Sequence, residues 1–168
     1  MCIRDRITEV KADILDLINK SSENKALNVF VHGCNCQTVM GKGLAKAIST
    51  AYPEVARADN ATKAGDKAKL GTYSYARVKE NVVVANAYGQ YNYGWLNPLD
   101  SNGRQTDYEA LRKSLTAIRD DFTGRSTHPV IFYVPLMIGA SNAKGNPKII
   151  QPMVKEIFKD HELVLFYN

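Results

Sequence analysis

The sequence predicts a single-domain, three-layer α/β/α fold with a mixed, mostly parallel sheet and helices on both faces. Three observations carry this. Short apolar strands alternate with helical stretches along the chain, the pattern of strand–helix–strand units. No internal repeat and no linker rich in Pro, Gly or Ser divides it, so residues 7–168 read as one domain. With 168 residues, 45% of them hydrophobic, the chain can bury roughly 70% of its unfolded surface without disulfides or a structural metal.

The elements follow in order. Residues 1–6, MCIRDR, read as a translated sequencing-adapter tail or as a short genuine extension, and are set aside with Cys2. Residues 7–11 alternate apolar and polar, a strand. Residues 13–20 form a short helix that Asp13 can cap. Residues 26–32 form a buried strand ending at His32, followed by the glycine-containing loop GCNCQTVMGKG. Leu44–Ala51 is helical, and Pro53 starts a further helix to about residue 63. Residues 70–78 and 82–87 form a hairpin around Lys79-Glu80-Asn81. Residues 88–103, rich in Tyr, Asn and Gly, read as a long loop. A helix from Thr106 to about Phe122 carries its stripe on Tyr108, Leu111, Leu115 and Ile118. A strand at 130–134, a loop at 136–145, a helix from Pro147 and a strand at 163–167 complete the chain.

Composition excludes several classes. No apolar run approaches the ~20 residues of a membrane span, and no signal-peptide pattern opens the chain. Three cysteines make no disulfide framework, so a reducing, cytoplasmic setting is expected. Cys34 and Cys36 lack the partner Cys or His pair of a zinc site, so no metal is expected, and nothing calls for a cofactor. The net charge of +5 is spread along the chain without a basic block. That makes a nucleic-acid partner unlikely on the sequence alone and suits a small anionic ligand, although a solvated surface explains it equally well. Neither His128 nor His161, both in polar surroundings, is given a role.

Ligands of such sheets bind beyond the carboxyl ends of the strands. Two strand-to-helix loops lie there, HGCNCQTVMGKGLAKAI and PLMIGASNAKGNP. Each can offer backbone N–H groups and a helix N-terminus to phosphate oxygens, and together they suggest a diphosphate held from two sides. The GKGLA segment of the first loop has the spacing neither of a P-loop nor of a dinucleotide fingerprint.

VKADI, VHGCNCQTVMGKGLAKAI, YPEV, KLGTYS, YGQYNYG, TDYEALRKSL and PLMIGASNAKG occur in this order across nearly all of residues 7–168. In these segments the chain resembles the macrodomains, the ADP-ribose-binding fold, and within them the phage and yeast ADP-ribose 1″-phosphate phosphatase-like branch. The resemblance implies an ADP-ribose ligand and a monomer. It sets Asp13, beside Ile14, against the adenine amine, a role compatible with helix capping. It sets Asn35 at the distal ribose, where the simpler alternative is an Asn tolerated in a turn. Gly41, Gly43, Leu44 and Ala45 match the first phosphate loop, and Gly139, Ala140, Ser141, Asn142 and Ala143 the second. Tyr88 and Gln90 fall near the distal end of the ligand, with Asn86 a weaker candidate. His32 matches a catalytic histidine of the branch, with Asn35 beside it; otherwise it is a core histidine.

The pattern also breaks. The second loop is poorer in glycine than the family's, and Pro147 stands where a tryptophan is usual. Ala12 replaces a glycine. The branch that works through a lysine and an aspartate would need them at Asn86 or Ala87 and at Ala143, so that chemistry is not available. Two readings remain: a hydrolase for ADP-ribose 1″-phosphate or a related derivative, and a non-catalytic ADP-ribose-binding module.

Overall fold

Side chains of a strand point alternately to its two faces, so a strand buried on both sides reads as a continuous apolar run. The second strand, β2 (Leu27–Asn35), does this. Its Val29 and Val31 face one helical layer, and Phe30 and His32 the other. In the computed structural model, which describes residues 6–168, the other strands are β1 (Ile7–Lys11), β3 (Tyr73–Lys79), β4 (Val82–Gln90), β5 (Val130–Pro135) and β6 (Glu162–Tyr167). They form one sheet in the order β1-β6-β5-β2-β4-β3. Every pairing is parallel except β3 with β4, which is antiparallel. The helices are α1 (Ile14–Ser21), α2 (Gly43–Ala51), α3 (Pro53–Asn60), α4 (Tyr108–Arg125) and α5 (Pro147–Ile157).

Each helix starts where a local signal satisfies its first N–H groups, with one exception taken up below. Asp13 accepts from Leu15 N at 2.8 Å, Asp107 from Ala110 N at 3.0 Å and Asn146 from Lys148 N at 2.9 Å. Pro53 and Pro147 open α3 and α5, where a missing N–H costs nothing. The apolar stripes then choose faces. Leu111, Leu115 and Ile118 of α4 and Ile150, Val154 and Ile157 of α5 pack on Val29, Val31, Val83, Ala85 and Phe132. Ile14 and Ile18 of α1, Ile48 of α2 and Val55 of α3 pack on Phe30, Val82, Val84 and Phe166 from the other side. The three layers expected from the sequence are present.

Several boundaries differ from expectation. β2 and β4 each run three residues further, to Asn35 and Gln90, because their polar ends pair with each other: Cys34 lies opposite Tyr88 and Asn35 opposite Gln90. Gly89 is the extra residue in that register, and a Cβ there would lie 2.9 Å from Leu111 Cδ1 of α4. Tyr88 and Gln90 are thus strand residues, not loop residues. α3 stops at Asn60, a short 3₁₀ turn (Lys67–Lys69) precedes β3, and α4 continues to Arg125. Of the hexapeptide set aside, residues 1–5 lie outside the described residues; Arg6 is described, and its guanidinium donates to Asp160 O at 2.5 Å.

The register also gathers polar groups on the α1–α3 face. His32, Asn86 and Ser74 stand side by side on β2, β4 and β3. Asn86 Nδ2 donates to Ser74 Oγ at 3.0 Å and to Val55 O at 3.2 Å. Ser74 Oγ lies 2.7 Å from the Tyr88 hydroxyl, which donates to Asp59 Oδ1 at 2.6 Å. Lys69 Nζ is 4.0 Å from the same carboxylate, 4.5 Å above the Tyr88 ring, and donates to Cys36 O at 3.2 Å. Asp59 and Lys69 are both buried, so each charge depends on its neighbours in place of water. Asp59→Asn keeps an acceptor for Tyr88 but removes the charge beside Lys69. We expect it to cost about 3 kcal/mol in urea unfolding, and Asp59→Asn with Lys69→Met to recover most of that loss. Equal loss in the single and double variants would show that the pair is not coupled.

Candidate functional site

A cleft of about 550 Å³ opens at the carboxyl ends of the parallel strands. Its geometry follows from two loops of opposite character. The first leads into α2, the exception noted above: its N-cap, Lys42, makes no side-chain capping bond. The first N–H groups of a helix have no partner within it. Those of Gly43, Leu44 and Ala45 therefore lie at the cleft wall uncapped, with the positive end of the helix behind them and Lys42 beside them. Gly43 has φ +59°, and a Cβ on it would lie 3.1 Å from Asn142 Nδ2 of the second loop. The two loops thus meet across the cleft.

The second loop joins β5 to α5. Its hydrogen bonds leave one stretch of N–H groups unused. Gly139 O accepts from Gly145 N at 2.7 Å and from the Thr106 hydroxyl at 2.6 Å. Ala143 O accepts from Gln105 N at 2.8 Å. The N–H groups of Ser141, Asn142 and Ala143 are left without an acceptor among the described residues. Gly139, at φ +70°, makes the turn that precedes them. The segment before α4 braces this loop. Gln105 Nε2 donates to Gly94 O and Leu96 O, and Lys144 Nζ lies 4.0 Å above the ring of Trp95, which itself packs on Gly103.

His32 forms part of the cleft floor, although it is only 1% exposed. Asn86 commits its amide hydrogens to Val55 O and Ser74, so its Oδ1 is the acceptor for His32 Nε2, at 2.5 Å. His32 therefore carries its proton on Nε2 and a lone pair on Nδ1. The Cys34 sulfur lies 3.7 Å from Nδ1; burial pushes its pKa up, so it stays a thiol. Burial also lowers the His32 pKa from 6.5 to about 4, against a smaller opposing effect of the Asn86 bond. The ring is neutral at pH 7: a weak base, and not an acid.

Of the residues selected from sequence, Asp13, Ile14, His32, Gly43, Leu44, Ala45, Gln90, Gly139, Ser141, Asn142 and Ala143 line one cleft. Asp13 caps α1 with Oδ1, which leaves Oδ2 for a ligand. Asn35, Gly41, Tyr88 and Ala140 fall outside the lining. The Asn35 amide is spent on its own loop: Oδ1 accepts from Gln37 N at 2.9 Å and Nδ2 donates to Val39 O at 2.8 Å. Tyr88 is fully buried in the polar row. Sequence reasoning missed Lys42, Met137, Phe166 and Tyr167. Phe166 and Tyr167 end β6 beside β1, next to Asp13, with Ala12 N bonded to Tyr167 O at 2.8 Å. The rule that ligands meet carboxyl ends of strands applied to β6 as well and could have found them. No helix among the described residues is long and apolar enough to cross a membrane. Among the described residues no three His, Cys, Asp or Glu side chains are grouped to hold a metal ion.

The titration of His32 has a definite sign. The unfolded chain protonates this residue near pH 6.5 and the folded chain near 4, so the unfolded state binds more protons in between. Its contribution is full above about pH 6.5 and is lost as pH falls to about 4, a change of about 3 kcal/mol. His161, lowered first by burial, acts in the same direction, so the comparison is with His32→Gln. Urea midpoints should fall further for the wild type than for His32→Gln between pH 7.5 and 4. Parallel curves would assign the acid sensitivity to other groups.

No family model matches the chain. The fold is similar to that of a macrodomain protein from Streptomyces coelicolor, with TM-score 0.65 and 20% identity over 96% of this chain and 99% of that one. It is also similar to Thermosipho africanus DarTG, solved in complex with ADP-ribose, with TM-score 0.65 and 13% identity over 99% of this chain and 42% of that one. An uncharacterised 17.5 kDa protein of enterobacteria phage T4, from the tk–vs intergenic region, is 31% identical over 161 residues, 93% of this chain and 92% of the relative. The chain has the macrodomain fold and belongs to the family of that phage T4 protein.

Proposed function

We propose that the cleft binds ADP-ribose and that the chain acts as an ADP-ribose-binding module. The observation that carries this is the pair of N–H clusters on the cleft lining: the uncapped start of α2, and Ser141–Ala143, whose N–H groups have no acceptor among the described residues. A diphosphate between them would take donors from both sides, with no charged residue needed at the phosphates. Asp13 Oδ2, flanked by Phe166 and Tyr167, suits an amine-bearing aromatic ring, and Gln90 at the other end suits a ribose. The ADP-ribose bound to Thermosipho africanus DarTG supports the same ligand here.

The second reading is hydrolysis of ADP-ribose 1″-phosphate, the activity of the branch the sequence resembles. His32 at the cleft floor favours it: Nδ1 would take a proton from the attacking water as the phosphorus–oxygen bond to the sugar breaks, and the sugar oxygen would leave as a hydroxyl with a proton from solvent. A ring held neutral down to about pH 4 and flanked by a thiol is a poor base for that step, and this weighs toward binding. The role of Asn35 in either reading is indirect, through the shape of its loop.

Calorimetry with ADP-ribose tests the first reading. Asp13→Ser, which keeps a capping oxygen, should weaken binding by about 1.5–3 kcal/mol, the value of a hydrogen bond to a charged group. Gly43→Val, which places a branched side chain at positive φ between the loops, should weaken it at least about tenfold once circular dichroism shows the fold intact. Undiminished affinity in the folded Gly43→Val protein would remove the diphosphate from this loop. Phosphate release from ADP-ribose 1″-phosphate that disappears in His32→Gln would move the assignment to hydrolysis.

A further inference from the structure

The opposite end of the sheet carries a second cleft, of about 640 Å³, between the α1–β2 loop, the end of β3 and the α4–β5 loop. Four cations from separate parts of the sequence line it: Lys25, Arg77, Lys79 and Arg125. One carboxylate lines it, that of Glu80. Arg77 reaches the backbone carbonyl of Glu80, not its carboxylate. Arg125 lies 3.7 Å from Asp121 and keeps an exposed guanidinium. The wall also carries an aromatic ring. Tyr75, 42% exposed, stands on the same face of β3 as Arg77, two residues away, and is held edge-to-face by Phe122 at 5.2 Å.

Arg and Lys on an edge strand can serve simply to discourage strand addition. That role does not account for Lys25 and Arg125, which come from other segments to the same cleft, nor for an exposed ring among the charges. A groove of cations around an aromatic platform is the chemistry that holds a phosphate backbone and stacks a base. We propose that this cleft binds single-stranded nucleic acid, independently of the ADP-ribose cleft at the other end of the strands. The sequence expectation against a nucleic-acid partner rested on the dispersal of the charges; the fold brings four of them to one cleft.

The test is fluorescence anisotropy of the full chain with a labelled oligothymidylate at several salt concentrations. Each phosphate contact on a single strand contributes about 0.7 to the slope of log affinity against log salt. Arg77→Ala with Lys79→Ala should therefore reduce the slope by about 1.4. Tyr75→Ala should weaken binding about tenfold and leave the slope unchanged, the mark of stacking. Excess ADP-ribose should not displace the strand, and all three substitutions should leave ADP-ribose affinity intact. Affinity and slope unchanged in these variants would overturn the proposal. So would displacement by ADP-ribose, or equally tight binding of polyglutamate, which would make the cleft a site for acidic protein segments. Because ADP-ribose affinity is read separately, failure here and failure of the ADP-ribose reading are distinguishable.

Discussion

The functional end of the sheet depends on the hydrogen bond from His32 Nε2 to Asn86 Oδ1 across β2 and β4. It joins the floor of the cleft to a buried polar row that continues through Ser74 and Tyr88 to Asp59 and Lys69. A one-residue slip of β4 would turn Asn86 and Tyr88 toward the apolar α4–α5 layer, where nothing could satisfy them. The row therefore specifies the register that brings the ends of β2 and β4 together. It also holds the first loop indirectly, since Lys69 binds the carbonyl of Cys36, where that loop begins.

On this base the cleft combines one helix left uncapped with one loop whose N–H groups at Ser141–Ala143 have no acceptor among the described residues. The other α-helices open on a capping side chain or on a proline, so α2 alone presents unsatisfied donors without either. Glycine at 43 and 139 permits the positive φ angles of these two turns. Much of what a ligand would meet is thus backbone.

Element order and layer count were legible in the sequence because they follow from periodicity. The turns at Gly43 and Gly139 and the Asp13 cap were legible because turn and cap chemistry is local. The ends of β2 and β4 were not: Gly-Cys-Asn and Tyr-Gly-Gln have weak strand character alone and are strand only because they pair with each other. Asn35 and Tyr88, which the resemblance sets near a ligand and the local sequence reads as loop, are therefore strand residues. The polar row and the distal basic cleft were invisible for a related reason. Their members lie far apart in sequence, and only register and crossover connections bring them together. Phe166 and Tyr167 were hidden in a segment that reads as an ordinary core strand.

Trp95 is the sole tryptophan of the chain, and it is 63% exposed. Its ring rests on Gly103 and beneath the ammonium of Lys144, so it is fastened to the second loop rather than free in solvent. A cation over an indole and the degree of water contact both alter its emission. The protein thus carries its own optical probe on the second loop, and any displacement of Lys144 from the indole would register in intrinsic fluorescence without a label.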